Sequence, residues 1–446
     1  MKIPIIYLSL IPHGIHGFGM VSLPAVQMIV KEQQHQEQYN SISYHSSENQ
    51  LTKGIQNFII PPANAASDVT TSVSKTSSIS TSTTKPPSPP TETEIKLLRE
   101  ALGAFYGERN MDKAQELLSK AIVAWERQPP DERAALYRVR GDVYMELLHP
   151  KDAVQDYTQA IDLLNLPEAK DLADPGEMPA ARLGRARAMQ SMKRISTTYA
   201  NNNNNNDING ENTNSMKQDY NQMVQDFQIA LRLTSREDWD TEEEKEQDGA
   251  SRNPYAAWEY GMALRGAGDY KKAAEVHTLA ALSFKDIGDR ARSVISALDA
   301  GIDMAATNDV KEAKTMLESA IPMTTSVEGR DVELLQRVIA KEGEARVALA
   351  SVLWSANEKA AAEAQLGEAC SRLDQLQADA DAREAARIKS GAMPPIKVKK
   401  LPFTIDDVVG TECSCSRFKN EKFLSDSLFW PESLQTKVMK LNNLSK

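Results

Sequence analysis

Cysteine is scarce, at three residues in 446, too few for a disulfide framework. Aromatic residues make up only 6% of the chain while hydrophobic residues make up 41%. Ala, Leu, Val and Met therefore supply most of the apolar surface, a mixture that suits close-packed helices better than sheets. Beyond the N-terminus no apolar run is long enough to span a bilayer, which excludes a polytopic membrane protein. Lys and Arg number 52 against 62 Asp and Glu, a formal charge of −10. The chain lacks the surplus of cations that phosphate binding needs, so no nucleic-acid partner is expected. It also lacks a Gly-rich phosphate loop, a nucleophile elbow and a His-Glu-x-x-His metal motif. The expectation is a protein that is not an enzyme and takes no cofactor.

Residues 1–93 read as an address followed by an unfolded stretch. Lys2 precedes the apolar run from Ile3 to Ile11, and positions 3–30 carry no Asp, Glu, Lys or Arg. Pro4, Pro12, Pro24, Gly14, Gly17 and Gly19 interrupt this run, which fits a signal peptide better than an anchor. Ala63 and Ala65 stand two apart, as a signal-peptidase site requires, and positions 67–93 are rich in Ser, Thr and Pro, a composition that buries too little apolar surface to fold. The layout resembles the layered presequences of plastid proteins in algae with complex plastids, with Gly17-Phe18 at the junction after the signal. That resemblance implies a plastid location, thylakoid lumen or stroma, with a cytoplasmic protein carrying a disordered tail as the rival.

From residue 94 apolar residues recur at helical spacing between Gly, Asp and Asn turns. A signature returns: Gly141, Tyr144, Ala153, Tyr157, Ala160, then Gly261, Leu264, Ala273, His277, Ala280, then Gly301, Met304, Ala313, Leu317, Ala320. Fainter copies are Leu102, Phe105, Ala114, Leu118, Ala121 and Ala350, Leu353, Ala362, Leu366, Ala369. These residues resemble the tetratricopeptide repeat, a helix–turn–helix in which small side chains let two helices approach and an aromatic residue fills the gap to the next unit. The resemblance implies an all-α solenoid of about six repeats that binds protein or peptide.

Repeats one to three occupy 94–236, with an Asn-rich insertion near 196–219 expected as a surface loop. Positions 237–252, eight acids and one Lys between Glu237 and Asp248, are expected to form an acidic linker. Repeats four to six and a long capping helix fill 253–390. The tail, 391–446, carries Trp430-Pro431 and then Leu434, Val438 and Leu441 on one helical face. With Leu353-Trp354 it resembles plastid and cyanobacterial tetratricopeptide proteins that close on a Trp-Pro motif, although Glu432 stands where that motif has a second Pro. The tail is expected to pack on the last repeats, and the resemblance implies a scaffold or assembly factor for photosynthetic complexes, with peripheral thylakoid association.

In such a repeat the first helix lines a concave groove. The positions that face it are Lys96, Arg99, Arg138, Asp142, Arg185, Tyr255, Trp258 and Met262, with Ile295, Leu298 and Ile302 better read as packing. Gly184-Arg185-Ala186-Arg187 reads as helix surface. The carboxylate clamp for heat-shock chaperones needs paired Lys, Asn and Arg donors; the corresponding positions are Arg99, Gly103, Val139, Met178 and Arg182, so no such clamp is expected. The rival from another class is a redox or metal-dependent protein using Cys413 and Cys415. A cytosolic adaptor of the same fold is a third reading.

Overall fold

The computed structural model describes residues 90–202, 213–236, 239–327, 332–391 and 415–442. Among these the chain is all-α, with no strand. No described helix is long and apolar enough to cross a membrane. Residues 1–89, which hold most of the expected presequence, lie outside the described residues.

The helices come in pairs. α1 (Glu92–Leu102) pairs with α2 (Met111–Ala124), α3 (Pro130–Glu146) with α4 (Pro150–Leu164), and α5 (Glu177–Asn202) with α6 (Thr213–Leu233). α7 (Glu242–Arg252) stands between pairs. α8 (Pro254–Ala267) then pairs with α9 (Tyr270–Asp286), α10 (Arg290–Ala306) with α11 (Val310–Ala320), and α12 (Val332–Ser355) with α13 (Lys359–Lys389). Each helix packs on its neighbours in chain order, and α3 also reaches α5 as α10 reaches α12. In the tail, a short helical stretch from Cys415 to Ser427 leads to α14 (Glu432–Asn442), which packs on α12.

One turn geometry joins the two helices in five of the six pairs. A residue with positive φ ends the first helix: Arg109, Leu148, Gly268, Asn308 and Asn357, and Phe429 in the tail. The next residue starts the second helix, and Asn110, Asp269 and Asp309 cap it by accepting the backbone N–H three residues on. Five residues after the turn stand Ala114, Ala153, Ala273, Ala313, Ala362 and Leu434, all buried; twelve after it stand Ala121, Ala160, Ala280, Ala320, Ala369 and Leu441, also buried. Seven before it, Gly141, Gly261, Gly301 and Ala350 are buried on the first helix.

Those small residues exist because something large is pressed against them. A Cβ at Gly141 would lie 2.8 Å from the Tyr157 ring, and one at Gly301 2.7 Å from Leu317. Gly184 also meets the Tyr157 ring, and Gly261 meets His277. Tyr157 thus fills the space between the second pair and the third. The first pair departs from the pattern. Its first helix ends in a π turn, Gly103–Gly107, which adds a residue. Ala101 therefore takes the fully buried place and Leu102, expected there, is half-buried.

Two segments expected to be irregular contain helix. The acidic block at 237–252 is largely helix α7. Thr241 caps it in a capping box with Glu244, and Glu242, Glu243 and Glu244 occupy its first turn, where negative charge meets the positive end of the helix dipole. Arg232 and Arg236 of the preceding segment bind Glu246 and Asp248. The charge run is amphipathic rather than solvated on all sides. The Asn-rich insertion is also narrower than expected, since α5 continues through Asn202 and α6 begins at Thr213. Extending a helix that already exists is far cheaper than nucleating one. Residues 203–212 lie outside the described residues.

Two glycine substitutions should therefore move stability in opposite directions. A Cβ at Gly249 of α7 runs into the Leu231 carbonyl, which is backbone and cannot change rotamer. Gly249→Ala should cost roughly 1–3 kcal/mol. At Gly367 of α13 nothing lies within 4 Å, and Gly367→Ala should gain up to about 1 kcal/mol from helix propensity. Denaturant unfolding of the two variants checks both signs.

Candidate functional site

The eight residues expected to line a groove divide sharply. Lys96 and Arg99 on α1 are exposed, and Lys96 makes only a loose pair with Glu100 at 3.9 Å. The other six are buried or half-buried and engaged within the chain. Arg138 on α3 is 3% exposed; its Nε donates to Glu177 at 2.7 Å and its Nη1 to Asp142 at 2.8 Å. Asp142 also accepts the Tyr157 hydroxyl at 2.7 Å. Arg185 forks onto Asp226 of α6 with two bonds of 2.8 Å, joined there by Arg182. Tyr255 packs edge-on against Phe284 with Arg292 over its face. Met262 and Trp258 are buried, the latter completely. As it stands, this face offers those six side chains to neighbouring helices and not to a peptide. Ile295, Leu298 and Ile302 are buried too.

The run Gly184 to Arg187, expected as helix surface, is instead a junction. Arg185 holds α6, and Arg187 reaches Glu259 of α8 at 2.9 Å. A guanidinium fork suits this task because two parallel bonds fix both distance and direction. The same device recurs: Arg140 grips Asp156 with bonds of 2.6 and 2.7 Å. Arg346 and Arg372 share Glu342.

The densest charge network lies between α8, α9, α10 and α12. Trp258 donates its indole N–H to Asp299 Oδ2 at 3.0 Å. Arg265, 2% exposed, donates to Asp299 Oδ1 at 2.9 Å and to Asp303. His277 Nδ1 lies 2.6 Å from Asp303 Oδ2, and its Nε2 lies 3.2 Å from the Trp258 carbonyl oxygen. Lys341 on α12 donates to Asp299 at 3.2 Å and to Glu344 at 2.6 Å. Burial works against a charged Asp299, but Lys341 and then Arg265 outweigh it, and the carboxyl is held well below the usual carboxylate range. The network bridges helices from three pairs.

The tail completes it. Arg417 donates to Glu344 at 3.3 Å. Phe418, Leu424, Leu428, Trp430, Leu434, Val438 and Leu441 are buried, and Phe418 stacks on Trp430 with ring centroids 6.1 Å apart. Phe429 meets Tyr220 of α6 edge-on at 5.6 Å, and Lys437 donates to Asn308 in the turn after α10. The tail thus touches α13 first, then α5 and α6, and ends with α14 on α12 and α10.

The cysteines pair differently from the rival reading that joins Cys413 and Cys415. Cys415 is bonded to Cys370 of α13, 45 residues earlier, and not to Cys413. The Cys415 N–H also donates to Asp374, one turn beyond Cys370. Packing of the tail on α13 brings these two together, which sequence proximity of Cys413 and Cys415 conceals. Cys413 itself lies outside the described residues. Among the described residues no group of three or more His, Cys, Asp or Glu side chains is placed to hold a metal ion.

Two predictions follow from these charges. Removing one member of a buried pair strands its partner, so Asp299→Ala should destabilise the fold by about 3–5 kcal/mol in denaturant unfolding. At the start of α3, burial and then the neighbouring Asp131 push the Glu132 carboxyl up to about 7 from 4.5. The folded chain favours the protonated acid, so this contribution is complete below pH 4.5 and is lost as pH rises through 7. Glu132→Gln should raise Tm at pH 8 relative to wild type and leave it nearly unchanged at pH 4.5.

No protein-family model matches the chain, and no curated protein matches it. Among solved structures, the crystal structure of BtubC (BKLC) from P. vanneervenii is similar over 68% of this chain and 95% of its own, at 14% identity and a TM-score of 0.37. A likeness of that size carries no argument about fold or function.

Proposed function

We propose that the chain is a tetratricopeptide-type solenoid of about six repeats that serves as a non-catalytic scaffold or assembly factor, binding a protein or peptide partner in a plastid. One observation carries the repeat reading: small residues and a large one recur at fixed distances from a positive-φ turn, and they are buried from one pair to the next. Stacked helical pairs present long side-by-side surfaces, which is what makes such folds binders of extended or helical segments. Fold alone does not name a partner.

The compartment rests on the presequence-like layout of residues 1–93. The Cys370–Cys415 disulfide adds support, because disulfides persist where thiols are kept oxidised and are rare in the cytosol. That favours the thylakoid lumen over a cytosolic adaptor. The same bond weighs against a Cys413–Cys415 dithiol centre, since one of its two sulfurs is committed elsewhere.

A C-terminal fluorescent fusion of the full chain, paired with N-terminal sequencing of the purified protein, tests the placement. The expected result is plastid fluorescence and a mature chain that begins after Ala65. Cytosolic fluorescence with an intact Met1 would remove the photosynthetic reading and leave a generic binding scaffold.

A further inference from the structure

Nine residues after the turn inside a pair stand Leu118, Tyr157, His277, Leu317 and Leu366. This place takes the large side chain that fills the helix crossing, at Gly141 for Tyr157, at Gly261 for His277 and at Gly301 for Leu317. Only the fourth pair sets a side chain there whose ordinary titration lies near neutral pH. His277 is completely buried, so its two ring nitrogens must find their partners within the protein.

Both nitrogens face oxygen. Nδ1 lies 2.6 Å from Asp303 Oδ2 on α10, and Nε2 lies 3.2 Å from the Trp258 carbonyl oxygen on α8. Asp303 also accepts from Arg265, as a carboxylate does. A neutral imidazole has one N–H and one lone pair, so it bonds one of these oxygens and turns a lone pair on the other. The imidazolium has two N–H groups and bonds both. The charges around the ring suit it. Asp299 lies on α10 with Asp303; against burial, Lys341, Arg265 and then His277 hold the Asp299 carboxyl well below the usual carboxylate range. Arg265 on α8 is engaged by Asp299 and Asp303, and Lys341 on α12 by Asp299 and Glu344. Glu259 on α8 pairs with Arg187, and Glu246 on α7 pairs with Arg232 and Lys272. At the start of α9, burial pushes the Tyr270 hydroxyl up, so it stays neutral.

We propose that His277 is held with both ring nitrogens protonated and pins α8, α9 and α10 together, so that the junction between the fourth and fifth pairs loosens when alkaline solution removes one of those protons. The proton that leaves is the one on Nε2, because the bond from Nδ1 to the carboxylate is shorter and charge-assisted. Nε2 then turns a lone pair on the Trp258 carbonyl at the crossing where Gly261 offers no Cβ, and the repulsion falls on the contact between α8 and α9. Neither a partner nor a compartment enters this pin.

Long-range 1H–15N correlation spectra of the histidine rings in the labelled full chain read the two protons directly. The His277 signals are assigned by their absence in His277→Leu, which carries the residue that pairs one and five use at this place. His277→Gln is the second variant, and circular dichroism confirms that each folds. At pH 7.5 both His277 nitrogens should show the shift of a protonated ring nitrogen. The folded chain favours the protonated ring, so its contribution is complete below the ordinary imidazole value of about 6.5 and is lost as pH rises. The folding constant of the wild type relative to His277→Leu should therefore fall about tenfold between pH 6 and pH 9. His277→Gln, which does not titrate, should follow His277→Leu across that range. Glu132 is present in every variant, so its own titration cancels in the ratio. A lone-pair shift on either nitrogen at pH 7.5 would overturn the doubly protonated ring, and a ratio that stays constant with pH would overturn the pin.

Discussion

Everything in this fold depends on how closely two helices can approach within a pair. At Gly141, Gly261 and Gly301 the first helix offers no Cβ, and a ring or a Leu of the second helix fills the space. Alanines at fixed distances after the turn do the same from the other side. A larger side chain at any of these places would push the helices apart and open gaps to the next pair, because protein interiors tolerate neither overlap nor voids. The shared turn geometry follows from this. A residue at positive φ reverses the chain in the fewest steps, and Gly268, Asn308 and Asn357 fill that role with residues that tolerate it. Leu148 and Phe429 adopt the same conformation without that tolerance, which shows how strongly the packing demands it.

Close packing fixes the spacing but not the stagger between pairs. Buried ion pairs do that work. Arg138 with Glu177, Arg185 with Asp226, Arg187 with Glu259 and Arg265 with Asp299 each tie the first helix of a pair to another element. A buried pair adds little net stability over a well-packed apolar contact. Its directionality is what matters, since a bidentate fork tolerates less sliding than a methyl group against a methyl group. The same chemistry engages Arg138, Asp142 and Arg185 within the chain, while Lys96 and Arg99 stay exposed. Arg138 and Arg185 are legible as charged and inward-facing, but Glu177 and Asp226, which they grip, sit on other helices about forty positions along the chain.

The helices, their order and the small-residue pattern were readable because they are local: period, turn residue and spacing lie within about forty positions. Three features were not. The acidic stretch at 237–252 reads as solvated from its net charge, and only the Thr241 and Glu244 capping pair signals the helix there. The π turn after α1 moved the buried small residue from Leu102 to Ala101, a one-residue shift that no periodicity resolves. The link between Cys370 and Cys415 spans 45 residues and depends on the tail turning back over α12, a tertiary event. Trp430 and the Leu434, Val438, Leu441 face did signal that the tail packs. They did not say that it reaches as far as Tyr220.

The chain is a series of helical pairs whose C-terminal segment packs back on α13, α12, α10, α5 and α6, and the disulfide is the marker of that return. Peptide mapping of the native protein, alkylated and digested without reductant, reads it directly. The expected result is a linked pair of peptides joining Cys370 to Cys415, with Cys413 alkylated. A Cys413–Cys415 bond within one peptide, or three alkylated cysteines in protein purified under oxidising conditions, would contradict it.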